Sequence, residues 1–204
     1  MADNYLEKKF EEYAAGKAGK RAPRRLSPSG SRSGVVELKF PRRRVMVACA
    51  EPHAIVEAFC KAGCQTAFCC ADGDAGQAWA ESVGAQCHVA RPGDTDAICT
   101  AMDKAKKAWR DVEVLICDAG NARQLAAHWD ELRHTLPMAP DYGRLIVIGT
   151  EIRELPRAWC ATANGIKAPT ADNASVAVTC LYFALPESAA VDGQTIAVST
   201  EKTI

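Results

Sequence analysis

Cysteine and histidine are the residues of this 204-residue chain whose types and spacing most readily suggest chemistry. Six of them lie close together in the sequence: Cys60, Cys64, Cys69, Cys70, Cys87 and His88. Thiolates and imidazoles bind zinc, but structural zinc sites usually show two cysteine pairs with short spacing inside each pair. These cysteines fall instead in runs typical of strands and helices. We therefore interpret them as small buried hydrophobic residues and expect no metal site.

A nucleophilic thiol is an alternative that the sequence leaves open, at Cys49 or Cys117. Each lies near the end of a predicted strand, and open α/β sheets bind ligands at that edge. A thiol attacks as the thiolate and needs a base or a positive partner to hold it in that form. His53, four residues after Cys49, is the candidate base.

The cysteine content also bears on the compartment. Ten cysteines in 204 residues are fewer than the ~8–10% typical of disulfide scaffolds. The first residues carry acids and no hydrophobic stretch of the kind a secretory signal needs. No apolar run approaches the ~18–20 residues of a membrane span. We expect reduced thiols, a cytoplasmic protein and no membrane partner.

The charge is divided unevenly, which predicts a basic N-terminal arm over residues 1–41 and a main domain over residues 42–204. Residues 1–44 hold 12 Lys and Arg against five Asp and Glu, and the remaining residues hold 13 against 20. Within the arm we predict an amphipathic helix over residues 4–17, an exposed linker over residues 21–33 and a short strand over residues 35–40. Basic residues can bind nucleic acid, but no aromatic residues interleave with them here. Docking of the arm on the acidic body is favoured over nucleic acid.

Beyond the arm, short β-rich runs alternate with helical patterns, which predicts an α/β fold. Right-handed crossovers between parallel strands place helices on both faces, as in a Rossmann-like doubly wound sheet. Helices are predicted at residues 52–62, 74–83, 94–110, 122–136 and 174–185, with Asp94 capping the third. The predicted strands are Val45–Ala50, Gln65–Ala71, Gln86–Ala90, Val112–Cys117, Leu145–Gly149 and Thr195–Ser199.

The order of these runs resembles the short-chain dehydrogenase/reductase family over nearly all of residues 45–200. AIVEAFCKAG is similar to the family's first helix, TAFCCAD to its second strand, and VEVLICDAGN to its fourth strand and N-N-A-G turn. AWCATANGIKAPT resembles the start of the family's Y-x-x-x-K helix. The most specific match is the closing phrase, in which Pro186 and Glu187 precede Gly193, Gln194 and Thr195. The resemblance implies a dinucleotide-binding fold and oxidoreductase chemistry.

The cofactor positions that the resemblance implies have lost their usual residues. The family's glycine-rich turn would hold a pyrophosphate, but residues 48–53 contain no glycine and carry Glu51 and Pro52 instead. A carboxylate repels phosphate, and proline has no N–H to donate. Cys70 takes the acidic position after the second strand, where Asp72 could substitute. The vestigial cofactor positions are Ala48, Cys49, Asp72, Ala119 and Gly120.

The catalytic positions are altered as well. The resemblance places Trp159 at the family's Tyr, Ala163 at its Lys and Thr150 near its Ser. Indole has no proton to give near neutral pH, and alanine carries no charge that could lower the pKa of a proton donor. The chain then passes almost directly to its last helix, so most of the catalytic helix, the sixth strand and the substrate loop read as deleted.

The sequence therefore predicts a non-catalytic or impaired relative of this family, with no cofactor expected. Its role would be structural or regulatory, through a homo-oligomer formed by residues 174–200 or through assembly with an intact relative. An NAD(P)-dependent oxidoreductase with an atypical site is the first alternative. A nucleic-acid-binding basic arm on an inert domain is the second.

Overall fold

A computed structural model of the chain describes residues 40–134, 143–157 and 161–199. The predicted arm elements therefore lie outside the described residues, apart from Phe40, and the boundary at residue 41 remains a prediction. Trp159 lies outside them too. The described part contains no helix that is long and apolar enough to cross a membrane.

One seven-stranded sheet forms the centre of the domain, with the strand order β3-β2-β1-β4-β5-β6-β7. Every neighbouring pair is parallel. The strands are β1 Arg44–Ala48, β2 Gln65–Cys70, β3 Gln86–Val89, β4 Val114–Asp118, β5 Gly143–Gly149, β6 Ala161–Lys167 and β7 Thr195–Ala197. The doubly wound α/β class predicted from the alternation is confirmed.

In the described residues, five helices cover the two faces: α1 His53–Lys61, α2 Gly73–Val83, α3 Thr95–Trp109, α4 Ala122–His134 and α5 Ala174–Ala184. A 3₁₀ helix follows at Pro186–Ala190. Successive strand residues point to opposite faces, so Val45 and Val47 pack with α1 and α5 while Met46 and Ala48 pack with α3 and α4. The predicted cap of α3 is confirmed, because Asp94 Oδ1 accepts a bond from Ala97 N at 3.1 Å.

The resemblance of AWCATANGIKAPT to the start of a helix, and the expected deletion of the sixth strand, are both wrong over the described residues of this segment. Residues 161–167 form strand β6, which pairs with both β5 and β7, so the sixth strand is present. Its sequence, ATANGIK, lacks the apolar character of a buried strand because a polar residue lies in its middle. Asn164 is 1% exposed, and its Oδ1 accepts from Gln194 N at 3.1 Å while its Nδ2 donates to Val191 O at 2.9 Å. These bonds allow an amide side chain in the sheet.

The segment between β5 and β6 has no regular secondary structure over its described part, residues 150–157. Ile152 and Leu155 pack against the apolar cluster on the α3 and α4 face. A Cβ on Gly165 of β6 would lie 3.0 Å from Ile152 Cδ1 and 2.8 Å from Thr195 Oγ1. Glycine in β6 therefore lets this chain segment lie directly on the sheet.

Trp129 of α4 anchors the α4 side of the core and gives a test of the packing. Its ring is fully buried, and its Nε1 donates to Val112 O at 2.8 Å. Trp129→Ala should lower the free energy of unfolding by about 3–5 kcal/mol, because it leaves a large cavity and removes one of the two hydrogen bonds that Val112 O accepts. Urea denaturation followed by circular dichroism measures it. Glu131→Ala, an exposed site on the same helix, serves as the control, and equal losses in both variants would contradict the packing described.

Candidate functional site

The carboxyl ends of β1 and β4 lie side by side, with Ala48 opposite Cys117 in the sheet. Strand β1 has β2 on one side and β4 on the other. The chain therefore adds strands first to one side of β1 and then to its other side. Open α/β sheets bind ligands in the crevice at such a reversal. The turn over residues 49–52, which leads from β1 into α1, forms one wall of this candidate site.

Asp118, the last residue of β4, closes the crevice from the β4 side. Its Oδ2 accepts a hydrogen bond from Ala50 N at 2.8 Å, and its carboxylate also accepts one from the Cys49 thiol. A backbone N–H group of the turn that would otherwise face a bound anion is thus already bound to a carboxylate. Burial raises the pKa of Asp118, and the bonds from Ala50 and Cys49 offset only part of that rise.

Asp172, from the loop between β6 and α5, occupies the amino end of α1. Its Oδ1 accepts a hydrogen bond from Ala54 N at 2.9 Å. Pro52, at the N-cap of this helix, has no N–H and makes no side-chain cap bond. The first turn of a helix favours a negative charge. Here a carboxylate of the protein provides that charge.

Hydrogen bonds tie the loop that carries Asp172 to the turn after β1. The Thr170 hydroxyl donates to Glu51 Oε2, and the same Thr170 oxygen accepts from Asp172 N at 3.1 Å. Ala168 N donates to Gly149 O at 3.1 Å, which holds the start of the loop against the end of β5. Three carboxylates, those of Glu51, Asp118 and Asp172, therefore form hydrogen bonds around one turn.

Asp72, the predicted ribose contact, acts as the N-cap of α2. Its Oδ1 accepts from Asp74 N and Ala75 N, each at 3.1 Å. A cavity of about 290 Å³ lies beside it between the ends of β1 and β2. Trp79 lines this cavity and makes edge contacts with His53 and Phe68, at ring-centroid distances of 4.6 and 4.9 Å.

The structure does not bring the predicted catalytic positions together. Thr150 follows β5 and is exposed. Ala163 is buried in β6 opposite Leu145, five residues before Thr150, which at about 3.3 Å per residue is on the order of 16 Å along the strand. Ala163 N donates to Asp192 Oδ1 at 2.8 Å. Its placement on a catalytic helix was wrong because the segment is a strand.

The remaining predicted cofactor positions have structural roles in the described sheet. Ala48 is 2% exposed within β1. Ala119 N donates to Ile148 O at 2.8 Å, and a Cβ on Gly149 would lie 2.9 Å from the Ala119 Cβ. Small side chains there let the ends of β4 and β5 approach closely. Gly120 has open space around it.

The geometry argues against a nucleophilic thiol. Burial raises the pKa of Cys49 well above its ordinary value, and the negative charge of Asp118 raises it further. The same two causes raise the pKa of Cys117. Both thiols therefore stay protonated at neutral pH. The described residues contain nine free cysteines and no group of three potential metal ligands.

Sequence reasoning missed the two carboxylates that define this site. Neither Asp118 nor Asp172 is among the site residues that the sequence predicts. A signal was present for Asp118, since an acid directly after a buried parallel strand lies at the ligand-binding edge of the sheet. No local pattern links Asp172 to Ala54, because 118 residues separate them.

Comparisons with known proteins show the fold. No protein-family model matches the chain, and neither does any curated protein sequence. The structure is similar to a short-chain dehydrogenase/reductase double mutant from Serratia marcescens, with TM-score 0.59, 15% identity, and 77% of this chain and 96% of that chain covered.

Two further structures agree with that comparison. BdcA from E. coli gives TM-score 0.59 at 17% identity, covering 78% of this chain and 100% of that chain. A short-chain dehydrogenase from Burkholderia cenocepacia in complex with NADP gives TM-score 0.59 at 14% identity, covering 78% and 97%. The chain therefore has the Rossmann-like fold of short-chain dehydrogenases/reductases, as the resemblance implied.

The raised pKa of Asp118 predicts a pH dependence. In the acid range the folded state holds the Asp118 proton at a pH where the unfolded state, with a pKa of about 3.9, has lost it, so this group's contribution to stability falls as pH rises. Asp118→Asn keeps an oxygen acceptor for Ala50 N and removes the titration. The stability of the variant relative to wild type should therefore increase from about pH 4 upward and then level off. Urea denaturation between pH 3.5 and 7 checks this, and a difference independent of pH would contradict it.

Proposed function

We propose that this chain is a non-catalytic relative of the short-chain dehydrogenases/reductases that acts through assembly, with itself or with an intact relative. The observation that carries the proposal is the binding of Ala50 N to Asp118 and of Ala54 N to Asp172. These are backbone donors at the turn and helix end where the fold would hold a pyrophosphate. The protein supplies its own anions in that place.

Electrostatics opposes a dinucleotide at this turn. A pyrophosphate would have to displace two hydrogen-bonded carboxylates and approach that of Glu51 as well. Two like charges 4 Å apart repel by ~1 kcal/mol in water and by ~4 kcal/mol near a protein surface. Each such contact weakens a phosphate's affinity, and no lysine or arginine forms a hydrogen bond with these three carboxylates in the described residues.

The connection between β5 and β6 supports the same conclusion for catalysis. The resemblance implies a helix there that carries the Tyr and Lys of the family. The segment over residues 150–157 has no regular secondary structure, and its Ile152 and Leu155 contact the core. A proton donor and its tuning cation therefore have no helix to hold them in the described part of this connection.

An NAD(P)-dependent oxidoreductase with an atypical site is the second candidate. The cavity of about 290 Å³ beside Asp72 favours it, since Asp72 is exposed and its Oδ2 makes no cap bond. The Burkholderia cenocepacia structure was solved with NADP. The two candidates differ directly in their affinity for the cofactor.

Cofactor binding separates the two candidates. With millimolar NADH or NADPH the wild-type protein should show no increase in melting temperature, because carboxylates occupy the phosphate donors. Differential scanning fluorimetry measures this, with a catalytically active short-chain dehydrogenase in the same assay as the positive control. A rise of several degrees that Asp72→Ala abolishes would establish the oxidoreductase candidate instead.

The assembly surface we propose consists of the outer side of α5 and the β7 edge, within residues 174–200. Helix α5 carries no charged residue, and Val178 and Tyr182 are 64% and 46% exposed. Ile196 of the edge strand is 38% exposed. Exposed large apolar groups on neighbouring elements mark an interaction surface. A two-fold axis would bring this surface against its own copy.

A charge placed on this surface tests the assembly. Tyr182→Asp should shift the protein from dimer to monomer in light scattering, because it buries an unpaired carboxylate in an apolar interface. Gln77→Asp, an exposed position on α2, is the matched control and should leave the dimer intact. A wild-type monomer, or a dimer that tolerates Tyr182→Asp, would contradict the proposed homodimer.

The proposal extends to partners and compartment. Arg44 is paired with Glu113 and Arg43 is 3% exposed, so these two residues of the basic segment pack into the domain. We expect the arm itself, residues 1–41, to dock on a protein surface, because its net charge is opposite in sign to that of the body. The nine free cysteines of the described residues support a cytoplasmic location, where thiols stay reduced.

A further inference from the structure

A second cavity lies at the opposite edge of the sheet, at the amino ends of β1, β2 and β4. Its volume is about 570 Å³, and three consecutive arginines, Arg42, Arg43 and Arg44, line it. Glu113 is the one acidic residue among its described lining residues. The cavity is distinct from the candidate site above, which lies at the carboxyl ends of the strands.

Arg44 and Glu113 neutralise each other. Arg44 Nε donates to Glu113 Oε2 at 3.0 Å, and Arg44 N donates to the same oxygen at 2.9 Å. Arg44 Nη1 also donates to Trp109 O at 2.7 Å. This arginine therefore has its acceptors within the protein, and the positive charge that faces the cavity comes from Arg42 and Arg43.

Two donor atoms of Arg43 lack such acceptors. The residue is 3% exposed, and its Nε and Nη1 are buried with no hydrogen-bond partner. A guanidinium is always charged and has five N–H donors in a planar fork. A buried charge without a partner is strongly unfavourable, so proteins pair such groups or use them to bind an anion.

We propose that this cavity binds a phosphate group, held by the guanidinium groups of Arg42 and Arg43. Arginine forks match phosphate oxygens in bidentate geometry. An anion in the cavity supplies the acceptors that Arg43 lacks, once its guanidinium turns toward the opening. The volume is within the range of small-molecule sites. The phosphate belongs to a small phosphorylated compound or to a nucleic acid strand, two sources that share this chemistry.

Pyrophosphate is the probe, at ionic strength held constant with sodium chloride and with the full chain. Pyrophosphate should raise the melting temperature by several degrees and shift the amide resonances of Gly63 and Gln65, which line the cavity. Arg43→Met should lower the affinity at least tenfold without lowering the melting temperature of the free protein, because it removes an unpaired buried charge. Arg123→Met, at an arginine whose side chain is 88% exposed beside Glu154, is the control and should bind as wild type does.

Three results would overturn the proposal: no binding by wild type, equal binding by Arg43→Met, or amide shifts confined to Ala50 and Ala54. The last result would place the anion at the carboxyl edge of the sheet, and it would also contradict the proposed function. If Arg43→Met does not fold, Arg43→Lys retains the charge without the fork and should bind several-fold more weakly. A single-stranded oligonucleotide that binds more tightly than pyrophosphate, with the same dependence on Arg43, would identify nucleic acid as the source.

Discussion

The amino end of α1 favours a negative charge, and the protein provides one from its own chain. The hydrogen bond from Ala54 N to Asp172 satisfies a donor of the first helical turn, while Asp118 satisfies Ala50 in the turn before it. Together they link the end of β1 to β4 and to the loop before α5. The positions of α5 and of the β6–α5 loop depend on these bonds, because Thr170, Asp172 and Asn173 follow one another into the helix.

The two edges of the sheet differ in electrostatic character. At the carboxyl edge, the carboxylates of Glu51, Asp118 and Asp172 are satisfied by donors of the protein itself. At the amino edge, Nε and Nη1 of Arg43 are buried without an acceptor. If both proposals hold, the side chains at the two edges reverse the usual preference of parallel α/β folds, in which ligands bind at the carboxyl ends of strands.

Period and composition were sufficient to predict most of the architecture. Strands such as β1 and β4 are continuous apolar runs because both of their faces are buried. Strand β6 was missed because Asn164 and Gly165 interrupt its apolar pattern for reasons that only the tertiary structure shows, an amide bonded to a distant loop and a close approach by Ile152. Asp118 and Asp172 were not predicted for a related reason, since each carboxylate accepts a hydrogen bond from a residue far away in the sequence.

The segment over residues 150–157, which covers β6, limits which side chains β6 can carry. Ile152 and Leu155 of this segment pack against the apolar core on one face of the sheet. Gly165 of β6, which lies beneath them, has no room for a Cβ. A helix inserted into this connection would need a different spacing from the sheet, so its arrival would require new side chains along β6 as well. Restoring single catalytic residues would not place a helix over β6. A change in the segment that covers β6 and a change in the residues of β6 are therefore coupled.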